Sequence, residues 1–346
     1  MPERWTEPTQ VPENGCLSSD QVTSWREQGF SFVRDLIPER LVSQLRRDAL
    51  SFYPGPEEAD FARFNHFGSN GNFVFPSEYA SANEVSLYPA LLGAVADLLG
   101  VDVAELRLTQ SDLWPKYGGN GGEERSENTD QRIHCDYPNH TLTHPPQWSC
   151  PEAVEIIIYL SEESSCKGST AVVPRLGPDD PAYRWPIVDT PGVAGLSYVD
   201  DKLKAERYMR DKLPEAANFR ENELYAREVR TRYRAGDVIF YRHDTWHRGT
   251  PVAQGSLRLV QNMTFKKASS DWVSVLHNGW AWSLYRAGHG PEKMIAGLSP
   301  DQRSVLGFPS PGHQYWTDET VAAVQARYAP FGIDMEPYSK ALRKKS

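Results

Sequence analysis

Two short segments constrain this chain more than anything else in its 346 residues: R-I-H-C-D-Y at 132–137 and G-D-V-I-F-Y-R-H-D-T-W-H-R-G-T-P at 236–251. They supply His134, Asp136 and His247. S-L-R-L-V then places Arg258 eleven residues after the last histidine. Two imidazoles and one carboxylate on one face of an ion, with the other positions open, form the ligand set of non-haem Fe(II) oxygenases. The open positions admit a co-substrate and O2. An arginine nearby grips a carboxylate in a planar two-point fork, which points to a 2-oxo acid as co-substrate. H-x-D alone recurs by chance, so the combination carries the argument. Six further histidines, at 140, 144, 243, 277, 289 and 313, read as structural or solvated.

The spacing has a physical basis. Side chains alternate faces along a strand, so His134 and Asp136 are expected to point one way and Cys135 the other. The third ligand must come from elsewhere. D-V-I-F-Y, β-branched and aromatic and opened by Ala235-Gly236, predicts a strand that delivers His247 just beyond it. S-L-R-L-V-Q-N-M-T-F predicts another. Its alternation puts Arg258, Val260, Asn262 and Thr264 on one face and Leu257, Leu259, Met263 and Phe265 on the other.

With these residues in view, the chain resembles the phytanoyl-CoA dioxygenase family of Fe(II)- and 2-oxoglutarate-dependent oxygenases. L-S-S-D-Q-V-T-S-W-R-E-Q-G-F-S-F-V-R-D-L-I-P resembles that family's opening helix and strand. E-I-I-I-Y-L-S-E-E-S-S-C-K-G-S-T-A-V-V-P resembles the segment after H-x-D, and W-H-R-G-T-P with L-R-L-V the distal histidine and co-substrate arginine. T-Q-S-D-L-W at 109–114 is similar to the strand before H-x-D in ectoine hydroxylase, whose glutamine there lies in the substrate pocket; this implies a pocket role for Gln110.

The chain departs from the family pattern at three places. Ile133 precedes H-x-D where an aromatic is usual, and Arg175-Leu176-Gly177 follows Pro174. Gly249 stands where a serine often touches the co-substrate, with Thr250 next as its substitute. The resemblance implies a mainly β fold with flanking helices, the double-stranded β-helix or cupin-like jelly roll. It also implies Fe(II) held by His134, Asp136 and His247, with 2-oxoglutarate paired to Arg258. The reaction implied is hydroxylation of an unactivated C–H bond of a small-molecule metabolite, with succinate and CO2 as co-products. Related halogenases lack the carboxylate that Asp136 provides. Two other readings stay open: a 2-oxoglutarate-independent Zn or Fe cupin-type enzyme, since zinc accepts the same donors, and a non-catalytic metal-binding member. Neither has a use for Arg258.

Composition sets the remaining bounds. A net charge of −9 argues against a nucleic-acid partner, which needs a basic face. The absence of an apolar run of 18 residues argues against a membrane span. M-P-E-R-W-T-E-P lacks the pattern of a signal peptide. Cysteines 16, 135, 150 and 166 show no disulfide framework, which suggests free thiols in a cytoplasmic setting. The sequence does not fix an oligomeric state. Residues 1–346 read as one dioxygenase domain. Residues 1–17 are expected to form a loose arm, 118–122 (G-G-N-G-G) a flexible loop, 177–234 an insertion acting as a lid, and 270–346 a helical C-terminal extension.

Overall fold

The computed structural model describes residues 3–13, 15–57, 72–118, 128–145, 148–183, 186–270, 272–273 and 288–344. Helix α1, Ser19–Gln28, opens with Ser18, whose hydroxyl accepts from the Gln21 amide while the Gln21 side chain returns to the Ser18 N–H. Such a reciprocal cap satisfies two of the donors that a helix start leaves open. The helix stops at Gly29 in the left-handed region, as a glycine permits. Strand β3, Phe30–Arg34, and helix α2, Glu39–Phe52, follow where the sequence predicts them. Further on lie α3, Ala80–Ser86, and α4, Pro89–Leu99, the latter also as expected.

Eight strands join β3 and one another into two sheets: β1 (Trp5–Thr6), β2 (Thr9–Gln10), β4 (Leu106–Tyr117), β5 (Ala153–Tyr159), β6 (Thr170–Val172), β7 (Val229–Thr231), β8 (Val238–Arg242) and β9 (His247–Gly249). The long β10, Leu257–Lys267, completes the larger one. Six strands run in the order β2-β3-β8-β5-β10-β4 and four in the order β1-β7-β6-β9. The two sheets with their flanking helices form the jelly roll anticipated from the sequence.

Alternation divides the core. Val154, Ile156, Ile158, Val238, Phe240, Leu259, Met263 and Phe265 meet helix residues such as Trp25, Leu45, Leu91 and Val95 outside the six-stranded sheet. Phe30, Phe32, Tyr159, Ile239, Tyr241 and Val260 point the other way and pack with Val172 of the smaller sheet. The predicted two faces of β10 therefore hold. Strand β5 is largely covered on both sides, which accounts for a sequence that is apolar at every position but Glu155; each fully buried isoleucine contributes roughly 1.5–3 kcal/mol. The C-terminal helices, Gly290–Gly297, Pro300–Val305, Asp318–Tyr328 and Glu336–Arg343, gather Phe308, Trp316, Tyr328 and Tyr338 around Trp272 and Leu142.

Two expectations need correction. The H-x-D segment is not a continuous strand: among the described residues its strand-type pairing is limited to isolated bridges, Gln131 to Asp201 and His134 to His247. Asp136 has φ −84° and ψ −17° and leads into a short helix, α5, Tyr137–His140, in which Pro138 favours the turn. The arm at 1–17 is not loose where it is described. β1 pairs in parallel with β7 and β2 with β3, so one short segment is hydrogen-bonded to both sheets. The insertion at 177–234, expected to act as a lid, is largely helical in its described part. Helices Lys202–Lys212 and Pro214–Phe219 and the wider π-helical turn Arg220–Tyr225 pack beside the H-x-D backbone. The Ile133 N–H donates to the Tyr225 hydroxyl, and buried Arg220 donates to the Ile133 carbonyl while pairing with Glu206. The G-G-N-G-G run lies, apart from Gly118, outside the described residues.

Candidate metal centre and co-substrate pocket

The fold brings His134, Asp136 and His247 together: one donor atom from each lies within 4.8 Å of the others, close enough to share one ion. His134 and His247 are set opposite each other by mutual backbone hydrogen bonds of 2.9 and 2.8 Å. Asp136 is held by its N–H on the His243 carbonyl, 3.0 Å. Each imidazole rests Nδ1 on a carbonyl two residues earlier, Arg132 for His134 and Thr245 for His247, both at 3.0 Å. That contact assigns the proton to Nδ1 and leaves the Nε2 lone pair free. The two Nε2 atoms face the Asp136 carboxylate, at 3.5 Å from Oδ1 and 3.4 Å from Oδ2.

The electrostatics suit a cation. Burial first, then the neighbouring His247 and Arg132, lowers the His134 pKa to about 3, so the imidazole is neutral and ready to ligate. Burial pushes Asp136 up. His247, His134, His140 and the hydroxyl of Tyr241 outweigh it and bring the carboxyl down to about 2. The Tyr241 hydroxyl donates to Oδ2 at 3.0 Å, the outer contact that fixes a ligating carboxylate. Among the described residues no other group of three such side chains comes together this way.

Arg258 lies on the inner face of β10, opposite Lys116 in the register with β4. Arg258 donates to the Gly168 carbonyl at 2.5 Å, while its Nε has no hydrogen-bond partner among the described residues. Gly168 is needed here: its φ is +74°, and a Cβ would come within 3.2 Å of Arg258 Cδ. Lys116 donates to the carbonyls of Thr129 and Thr250 at 2.9 and 3.1 Å. Burial first and Arg258 next lower its pKa to about 7. Two enclosed cations side by side make a place for an anion. Lys116 was not singled out in the sequence, although the alternation T-Q-S-D-L-W-P-K puts it on one face with Gln110, Asp112 and Trp114.

Thr250 is placed otherwise than expected. Its hydroxyl donates to the Ser169 carbonyl at 2.9 Å, so it is already used. The strand period turns His247 and Gly249 inward together, and a Cβ on Gly249 would lie 3.9 Å from Lys116 Nζ. Gly249 thus borders the cation pair, and Thr250 offers it only a carbonyl. Gln110 sits on the inner face opposite Thr264 and donates to Asp112 at 3.3 Å.

Two histidines read as structural in the sequence line the same interior. His140, on α5, and His243, just after β8, have stacked rings 5.6 Å apart, and both face Glu155. A glutamate inside A-V-E-I-I-I-Y was the signal, since a lone acid in an apolar strand must have a local use.

No curated protein matches the sequence. Among solved structures the chain is similar to the carbocyclase SnoK from nogalamycin biosynthesis, with 19% identity, 75% of this chain and 87% of that one covered, and a TM-score of 0.48. It is also similar to the epimerase SnoN in complex with Fe3+, alpha ketoglutarate and nogalamycin RO, with 15% identity, coverage of 78% and 90%, and a TM-score of 0.49. A third is EvdO2 from Micromonospora carbonacea var. aurantiaca complexed with 2-oxoglutarate, with 13% identity, coverage of 76% and 96%, and a TM-score of 0.49. The family model for phytanoyl-CoA dioxygenase matches residues 25–259 and so takes in the H-x-D segment, the distal histidine and Arg258. The chain therefore belongs to the phytanoyl-CoA dioxygenase family, oxygenases that depend on iron and 2-oxoglutarate.

Proposed function

We propose that this protein hydroxylates an unactivated C–H bond of a small-molecule metabolite, consuming O2 and 2-oxoglutarate and releasing succinate and CO2. His134, Asp136 and His247 would hold Fe(II). Bound there, the iron supplies the oxidising power that couples decarboxylation of the 2-oxo acid to substrate oxidation. The chain's own residues do the positioning. Nδ1 contacts orient both imidazoles, Tyr241 steadies the carboxylate, and Arg258 with Lys116 fixes the distal carboxylate of the co-substrate. The retained Asp136 fills the position that a halide would need, which favours hydroxyl transfer. The carrying observation is the cation pair beside the three donors: a cupin that works without a 2-oxo acid, or a non-catalytic member, has no need of two enclosed cations. No helix among the described residues is long and apolar enough to cross a membrane, and all four cysteines are free; both fit a cytoplasmic enzyme.

The test is spectroscopic. Anaerobic protein loaded with Fe(II) and 2-oxoglutarate should develop the broad visible absorption of an Fe(II)–keto-acid chelate. Stoichiometric iron binding without that band would overturn the co-substrate assignment and leave the metalloprotein reading.

A further inference from the structure

We propose that the inner face of the six-stranded sheet between Asp112 and Glu155 is a substrate subsite for a hydrogen-bond-donating, non-anionic group, a protonated amine or a set of hydroxyls. This deepens the oxygenase reading above and rests on it.

Asp112 is 6% exposed and Glu155 is 4% exposed. Each has one oxygen in a hydrogen bond and one that makes none of proper geometry among the described residues. Asp112 Oδ2 accepts from Gln110 and from Trp114, at 3.3 and 3.1 Å, whereas Oδ1 accepts from no described residue. Glu155 Oε2 accepts from the Thr264 hydroxyl at 2.5 Å, and Oε1 makes no hydrogen bond of proper geometry. Oε1 is in close contact with His243 Nδ1 and 4.0 Å from His140 Nε2. Both ring nitrogens of His243, a residue 5% exposed, also lack hydrogen-bond partners. Buried polar atoms are nearly always satisfied. Here the unused ones are mostly acceptors, so a molecule that completes them must bring donors. Among the described residues no lysine or arginine pairs with either acid. Lys266, further along the same face, has its ammonium on the Ser270 carbonyl. An anionic group would meet two carboxylates, with the imidazoles of His243 and His140 beside Glu155 as the nearest groups able to carry positive charge.

The position suits a substrate. Glu155 is opposite Tyr241 in the sheet, and Tyr241 donates to Asp136 of the metal centre. Along β10, Arg258 lies four positions from Asn262, the partner of Asp112, and six from Thr264, the partner of Glu155, roughly 14 and 20 Å at about 3.4 Å per residue. The acids therefore stand at the other end of the inner face from the cation pair and are not part of the co-substrate clamp. Side chains between them, Asn262 and Gln110, are only partly buried, as lining residues of a cavity are.

The test uses the full chain, anaerobic and loaded with Fe(II) and 2-oxoglutarate, with three probes on one ring: cyclohexylmethylamine, trans-1,2-cyclohexanediol and cyclohexanecarboxylate. The chelate absorption and the melting temperature are followed during titration. The proposal expects one or both donor probes to perturb the band and raise the melting temperature, and the carboxylate to do neither. A response to the amine alone assigns an ammonium ligand, and a response to the diol alone assigns a hydroxylated one. Glu155→Gln and Asp112→Asn should each weaken the effective probe by about tenfold or more. If a variant fails to fold, the ranking of the probes on the unaltered protein decides. Equal response to the carboxylate, or none to either donor probe while the chelate band forms, overturns the subsite. Absence of the band itself overturns the oxygenase reading instead.

Discussion

At the residue scale, the two imidazoles are held for ligation before any metal arrives. Backbone carbonyls take their Nδ1 protons, so His134→Ala or His247→Ala should abolish stoichiometric iron after desalting, as read by elemental analysis. Tyr241→Phe removes one hydrogen bond from Asp136 and leaves the three ligands in place. It should lower iron affinity by roughly 10–100-fold, the usual effect of losing an outer contact, without loss of fold by circular dichroism. Arg258→Ala should cost roughly 2–5 kcal/mol of 2-oxoglutarate binding, about two orders of magnitude or more in apparent affinity, while iron is retained. Lysine there should rescue only partly, since it lacks the planar fork.

Lys116 makes a pH prediction. Its pKa in the folded chain is about 7 against an ordinary 10.5, so between those values the unfolded chain binds more protons. Stability of the co-substrate-free protein should therefore rise with pH across that window, with the penalty fully present below about 7. Lys116→Met should flatten that part of the denaturation profile; an unchanged slope would mean that the ammonium is not enclosed. The histidine pair and Glu155 were less legible than the triad because each is a single residue without a local pattern. Lys116 was legible in principle, since the same period-two argument applied to β10 also applies to β4.

At the scale of elements, the sequence was clear wherever the period is local. α1, β3, α2, α4, β8 and β10 follow from apolar spacing and caps, and all are present. The H-x-D segment departs from the expected strand because its shape is decided by distant partners. Tyr225 and Arg220 hold the peptide at Ile133, His247 pairs with His134, and the His243 carbonyl takes the Asp136 amide. None of these is a neighbour in sequence. Arg220 touches no ligand, yet it is 1% exposed and braces the residue next to His134. Arg220→Ala removes one partner of an enclosed pair and should destabilise the chain by roughly 3 kcal/mol. Iron affinity should fall with it, measured by competition with a chelator at a temperature where the variant is folded. Unchanged iron affinity would make the insertion a mere appendage.

At the scale of the whole molecule, the two sheets meet around Tyr159, whose hydroxyl contacts Thr170 and Thr231 of the smaller sheet at 2.7 and 2.9 Å. The N-terminal segment adds a second tie, since β1 and β2 belong to different sheets. Deleting residues 1–10 should lower the melting temperature measurably even though no site residue is lost. An unchanged melting curve would show that those pairings contribute nothing. The sequence does not display this pairing, because two-residue strands have no period.

That tie also has a clock. The partners of β1 sit at the far side of the chain, and the nearby contact of Arg232 with Glu7 spans 225 residues. At about 5–20 residues per second, the opening segment would leave the ribosome roughly 10–45 seconds before its mate exists. During that interval the nascent chain carries an unpaired edge that only a chaperone or its own idle motion can shield. Slow codons placed before residue 229 would lengthen the exposure, and a bulky fusion at the start of the chain would obstruct this late-closing seam.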